Sequence, residues 1–154
     1  MNSNSSDFEK GSIAFQNGDF VSALKVWKPL AEQGHEVAQY QLGFMYSEGY
    51  GVLKDDKETV HWYQLSAENG LKEAQYAFGL MLEEGHGVQQ DYKKAIYWYR
   101  LSAEQGFASA QYSLGMMYEE GKGVQEDYKE AVRWMKLAAQ QGHERAQSYL
   151  HYLG

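Results

Sequence analysis

The chain has 154 residues, no cysteine and a formal charge of −7, from 21 acidic against 14 basic residues. That length is one domain's worth and can bury a core, and without thiols the core is held by packing alone, with no disulfide, thiolate metal ligand or cysteine nucleophile. The acidic balance argues against nucleic acid as partner, because that affinity rests on Lys and Arg neutralising phosphates.

The first residues, MNSNSSDFEK, lack the basic and then apolar pattern of a secretory signal. No later stretch approaches the ~20 apolar residues that cross a bilayer. We therefore expect a cytoplasmic protein without membrane insertion, with residues 1–6 as a disordered tail. Between Phe8 and Gln33 two apolar runs are joined by Asn17-Gly18, which predicts a short helix pair over 7–33. The second run contains Ser22-Ala23-Leu24-Lys25, a match to the S-x-x-K of serine β-lactamases and penicillin-binding proteins. That mechanism also needs S-D-N and K-T-G, and neither string occurs, so Ser22 and Lys25 read as surface residues one turn apart.

From Gly34 the chain repeats. Gly34, Gly70, Gly106 and Gly142 are 36 residues apart, as are three further sets of three, so 13 of the 16 glycines share one lattice. Residues 70–105 and 106–141 agree at 20 of 36 positions without a gap. A period of that length marks a solenoid of stacked units. Each unit reads as two helices. In 70–105 the first runs from Ala74 to the glycine at 85, and the second follows Asp91 and ends before Gly106. Asp is a favourable N-cap, and Glu58 and Glu130 stand three residues after Asp55 and Asp127, the spacing of a capping box. The units are thus 34–69, 70–105 and 106–141, followed by a terminal capping helix within 142–154, from Glu144 to Tyr152. Ala38, Ala74, Ala110, Leu42, Phe78 and Leu114 are expected core, with Tyr46, Leu82 and Tyr118. Trp62, Trp98 and Trp134 are expected packing anchors.

Two arrangements invite a chemical reading. Gly85-His86-Gly87 is half of a dinucleotide fingerprint, but Gln90 stands where its third glycine would be, and no strand precedes it. The other copies read Gly49-Tyr50-Gly51 and Gly121-Lys122-Gly123, so the middle residue varies freely within one chain. A helix-to-helix turn is the simpler account, with His86 a bystander at its tip. The histidines, His35, His61, His86, His143 and His151, show no i, i+4 pair with a glutamate on one helical face. They read as capping or solvated residues. No catalytic residue, cofactor or metal site is expected.

The string Ala110-x3-Leu114-Gly115-x2-Tyr118-x2-Gly121-x-Gly123-Val124, then Asp127-x3-Ala131-x2-Trp134-x3-Ala138-Ala139-x2-Gly142, resembles the Sel-1-like repeat, a relative of the tetratricopeptide repeat. The 7–33 segment, with its shorter loop, is similar to an ordinary tetratricopeptide unit acting as N-terminal cap. The resemblance implies an all-α protein, a right-handed α-solenoid of stacked antiparallel helix pairs, bacterial in origin, that binds other proteins as scaffold or adaptor and is not an enzyme. It also implies that the first helix of each unit lines the concave face. The exposed positions there are Tyr40, Phe44 and Glu48; Tyr76, Leu80, Glu83 and Glu84; and Tyr112, Met116, Glu119 and Glu120. The tyrosines form one file, Phe44, Leu80 and Met116 a second, and the acids a rim.

Such a groove, about 30 Å long at 8 to 10 Å per helix, fits an extended peptide or one helix. The acids stand at helix C-termini, which the macrodipole disfavours, so a partner segment that is basic or apolar is expected. Members of the wider family also suggest an immunity partner of a bacterial toxin or effector. At the far end Tyr149, Leu150 and Leu153 have no following hairpin to cover them and would permit weak homodimer formation.

Overall fold

The computed structural model describes residues 3–154, with side chains from Ser5 onward. Among the described residues there are nine helices and no strand: α1 Ser3–Gln16, α2 Phe20–Glu32, α3 Glu36–Glu48, α4 Asp56–Glu68, α5 Lys72–Glu84, α6 Tyr92–Glu104, α7 Ala108–Glu120, α8 Tyr128–Gln140 and α9 Glu144–Leu153. The all-α expectation is met, and most helix boundaries fall within two residues of the periodic reading. The start of the chain differs. Met1 and Asn2 lie outside the described residues, but Ser3–Ser6, expected in a tail, belong to α1. The first apolar residue of that helix, Phe8, stacks on Trp27 and on His35, with ring centroids 5.6 and 5.0 Å apart. Anchored there, the helix extends upstream through residues with no strong preference against it.

The caps come from the residues that the spacing singled out. Asp55, Asp91 and Asp127 accept backbone N–H groups of the first turns of α4, α6 and α8. His35 and His143 cap α3 and α9 through Nδ1, which accepts from Ala38 and Ala146, so these two histidines are structural caps. The capping box is only half made. Its return bond needs the N–H of the cap residue, and the N–H of Asp55 and of Asp127 is already given to the carbonyls of Tyr46 and Tyr118 on the preceding helix. Glu130 turns to Arg133 instead. The same link joins Asp91 to Leu82, so the loop between the two helices of a unit is closed by backbone. Gly49 and Gly121 end α3 and α7 in the left-handed region, at φ 74° and 64°, where a Cβ costs strain.

The chain forms two compact units, residues 1–74 and 75–154. In the first, Ala23, Trp27, Ala38, Leu42 and Met45 are sealed from solvent, and the Trp27 indole N–H donates to the Phe8 carbonyl. In the second, Tyr99, Ala110, Leu114, Met135 and Ala146 are sealed. The expected core residues are buried, except that Tyr46 keeps partial exposure. Of the expected anchors, Trp62 and Trp134 are buried and Trp98 is half-buried against Phe78. Helix pairs approach closely at the glycines of α3 and α5. A Cβ on Gly43 would lie 2.4 Å from the Tyr63 ring, and one on Gly79 2.6 Å from the Tyr99 ring.

A buried polar thread accompanies the apolar one, and the sequence reading did not single it out. Gln39, Gln75 and Gln111 are each at most 4% exposed. Gln39 donates to the Ala31 carbonyl and accepts from Asn69; Gln111 donates to Ala103 and accepts from Gln141; Gln75 accepts from Gln105. Each bond satisfies a polar group near a helix end that would otherwise be buried at a cost of about 1–3 kcal/mol. The signal was present, since these glutamines recur every 36 residues.

Candidate protein-binding groove

In the second unit α5 is paired with α6, which packs against α7, and α7 with α8, which packs against α9. Short turns reverse the chain at each step, so α5, α7 and α9 run the same way. Between them lies a groove of about 380 Å³ lined by Tyr76, Leu80, Glu83, Glu84, Tyr112, Ser113, Met116, Glu120, His143 and Arg145. Seven of the eleven expected concave residues therefore converge on one depression.

The remaining four fall elsewhere. Tyr40, Phe44 and Glu48 belong to the first unit, where Tyr40 stacks on Tyr63 at 5.4 Å and Phe44 packs edge-on to Tyr50 at 5.8 Å. Glu48 is exposed. Glu119 does not line the groove. It faces Tyr149, whose phenol is pushed up by burial and then by that carboxylate.

The tyrosines are half-buried, serving both as packing and as surface. Tyr76 lies edge-on to Phe107 at 5.3 Å, and Tyr112 stacks on His143 at 4.7 Å. Burial, the largest cause, pushes the pKa of the Tyr76 phenol above its usual value, and the neighbouring Ser113 hydroxyl works against that shift, so the phenol stays neutral. Beside the tyrosines, Leu80 and Met116 supply an apolar strip with partial exposure.

The acidic rim is better satisfied than its sequence suggested. The Tyr99 hydroxyl donates to Glu83, Glu84 meets His86 Nδ1 at 2.9 Å, and Glu120 is paired with Lys122. His86 is thus no bystander at its turn. The Glu120 hydrogen bond and charge hold the Lys122 ammonium above its usual range. The unfavourable dipole at these helix ends is offset in part by the protein itself.

Ser113, His143 and Arg145 line the groove and were not foreseen. For Arg145 the signal existed: it is the register of Val37, Glu73 and Ser109 carried one period further, but the last helix was read as a cap. Among the described residues no group of acids and histidines is arranged to hold a metal ion. Ser22 and Lys25 lie on α2, with the Ser22 backbone N–H given to the Asp19 cap.

The description "Sel1 repeat" matches residues 37–71, 72–107 and 108–143 of the chain. The chain belongs to the Sel1 repeat family. The three Sel1 matches share the 36-residue period and are set about two to three residues later than the segments drawn from the glycines. Solved structures agree. A protective antigen of uropathogenic Escherichia coli displaying an SLR fold is 38% identical, with a TM-score of 0.93 over 97% of this chain and 33% of its own. A Sel1 repeat protein from Oxalobacter formigenes is 34% identical, with a TM-score of 0.86 over 90% of this chain and 57% of its own. The chain thus spans about a third and somewhat over half of these two relatives. Cysteine rich protein B of Helicobacter pylori, at 20% identity and a TM-score of 0.62, shares the fold. None of the curated proteins compared with the chain matches it. Sel1 repeat proteins are in general non-catalytic scaffolds for protein interaction, and no helix among the described residues is long and apolar enough to cross a membrane.

Proposed function

We propose that this Sel1 repeat chain is a non-catalytic binding module that holds a segment of another protein in the groove between α5, α7 and α9. The observation that carries this reading is the groove itself, with the half-exposed aromatic and apolar files of Tyr76, Tyr112, Leu80 and Met116 rimmed by charged groups. Aromatic and apolar side chains surrounded by polar ones are the usual composition of a recognition patch. The volume of about 380 Å³ suits a few side chains of a peptide more than a whole folded domain.

Selection of a displayed random short-peptide library on the purified chain tests the reading. Enriched peptides are expected to bind the native chain and to lose binding to a Leu80→Ser, Met116→Ser double variant whose thermal melt shows it folded. Equal binding to both proteins would remove the groove as the binding surface.

A further inference from the structure

The charged side chains that line the groove are separated by sign, while Glu73 and Glu144, in the first turns of α5 and α9, lie outside its lining. Glu83, Glu84 and Glu120 stand in the last turns of α5 and α7, while Arg145 stands in the first turn of α9. Because the three helices run the same way, the acids gather at one edge and Arg145 at the other. Each charge has the sign that its own helix end disfavours: acids at C-termini, a cation at an N-terminus. Each therefore adds to the local helix field, and together they set a potential gradient along the groove. Folding alone would favour the opposite placement.

The two edges are not cancelled internally. Arg145 makes no ion pair among the described residues, and His143 beside it is occupied as a cap through Nδ1, an acceptor only when unprotonated. At the acidic edge Lys122 is paired with Glu120 and Glu84 meets His86 Nδ1, so three carboxylates face one lysine and one imidazole. The Tyr99 hydroxyl orients Glu83 without neutralising it. The apolar strip of Leu80 and Met116 lies between.

We infer that the groove is a dipolar cradle, which takes a peptide segment in one direction: a carboxylate side chain towards Arg145, a Lys or Arg towards Glu83 and Glu84, and apolar side chains between them. This rests on the groove being the binding surface proposed above, and it replaces a purely basic partner by a segment of mixed charge in fixed order. Tyr112 and Glu120, eight residues apart on α7, mark the span, about 12 Å at 1.5 Å per residue. Across the helices, α5 and α9 stand two steps of about 8 to 10 Å apart, so the diagonal from Arg145 to Glu84 is roughly 20 Å, which an extended peptide covers in about six to seven residues; the two charges should be spaced by that interval.

The probes are the peptides selected on the native chain, measured against an Arg145→Glu, Glu84→Lys swap and against Arg145→Gln alone. Both positions are exposed and both swapped charges suit their helix ends, so the variants should fold. Selected peptides are expected to share one charge order. On the swapped chain they should lose about tenfold in affinity, and the same peptides with their charges exchanged should gain as much. Arg145→Gln should relax only the preference for the acidic residue. Groove-dependent peptides without a common charge order, or with an order that the swap leaves unchanged, would overturn the cradle while leaving the binding surface in place. Absence of any peptide sensitive to Leu80 and Met116 would overturn both.

Discussion

The Tyr99 hydroxyl, on a side chain sealed from solvent in α6, donates a 2.5 Å hydrogen bond to the Glu83 carboxylate at the end of α5. One group thus joins the core of the second unit to the edge of its groove. Hydrogen bonds to a charged acceptor contribute about 1.5–3 kcal/mol, and Glu83 is partly open to water, which lowers the net value. Tyr99→Phe is expected to cost about 1–2 kcal/mol in urea denaturation. In a double-mutant cycle with Glu83→Gln the coupling should be about 1 kcal/mol; additive effects would show that the contact carries no stability.

Substitutions at the three glycines of the first helices should differ by neighbour. In Gly43→Ala and Gly79→Ala the new methyl meets a tyrosine ring at 2.4 and 2.6 Å, and overpacking against a rigid ring should cost about 1–3 kcal/mol. At Gly115 the nearest groups are the Ala131 carbonyl and the Met135 methyl, both at 3.1 Å. Methionine yields readily, and alanine regains up to about 1 kcal/mol of helix propensity. Gly115→Ala should therefore lie within about 1 kcal/mol of the native chain. Equal losses at all three sites by chemical denaturation would contradict the packing account.

Gln111→Ala should be among the more damaging polar substitutions. It removes a buried amide that donates to Ala103 and accepts from Gln141; the exposed Gln141 can turn to water, but the Ala103 carbonyl loses this donor inside the fold, at a cost of about 1–3 kcal/mol. Gln147 donates to Ala139 in the same way but is exposed, so Gln147→Ala should cost less than about 1 kcal/mol because water replaces the bond. Melting curves of the two variants side by side decide this.

His143 gives the fold a pH dependence of defined sign. Burial, then the neighbouring Arg145 charge, hold its imidazole below its usual value of 6.5, and protonation would also end its Nδ1 cap on Ala146. With the folded value depressed, the unfolded chain binds more protons across that window, so this contribution is fully present above the unfolded value and declines as pH falls through the folded one. Thermal stability should therefore fall between neutral pH and pH about 5. His143→Asn, which keeps an N-cap acceptor, should show a smaller decline; an identical pH profile would assign the dependence to other groups.

Much of this was legible in the chain because a 36-residue period tests each assignment three times over. The recurrence of Asp55, Asp91 and Asp127, and of glycine at 49, 85 and 121, is a statement about local backbone: where an N–H needs an acceptor and where φ must be positive. Seven groove residues followed from that register together with the concave face that the resemblance implies. Arg145 was missed because α9 lacks the tyrosine that marks this register at Tyr40, Tyr76 and Tyr112, with Ser148 in its place. The buried glutamines were missed because a polar residue in a helix reads as surface until its partners are known.

Local propensity and hydrophobic period therefore determined, from the sequence alone, that the chain is an array of helix pairs and which positions are core, and the repeated motif carried the resemblance to the Sel-1-like repeat. What only the tertiary structure decided is how the polar groups are spent. Glu83 meets Tyr99 and Glu84 meets His86; Glu119 faces Tyr149 rather than the groove, and Arg145 lines the groove with no ion pair among the described residues. Backbone signals act within a turn or two, whereas the partner of a charge is set by distances across helices that no single helix encodes.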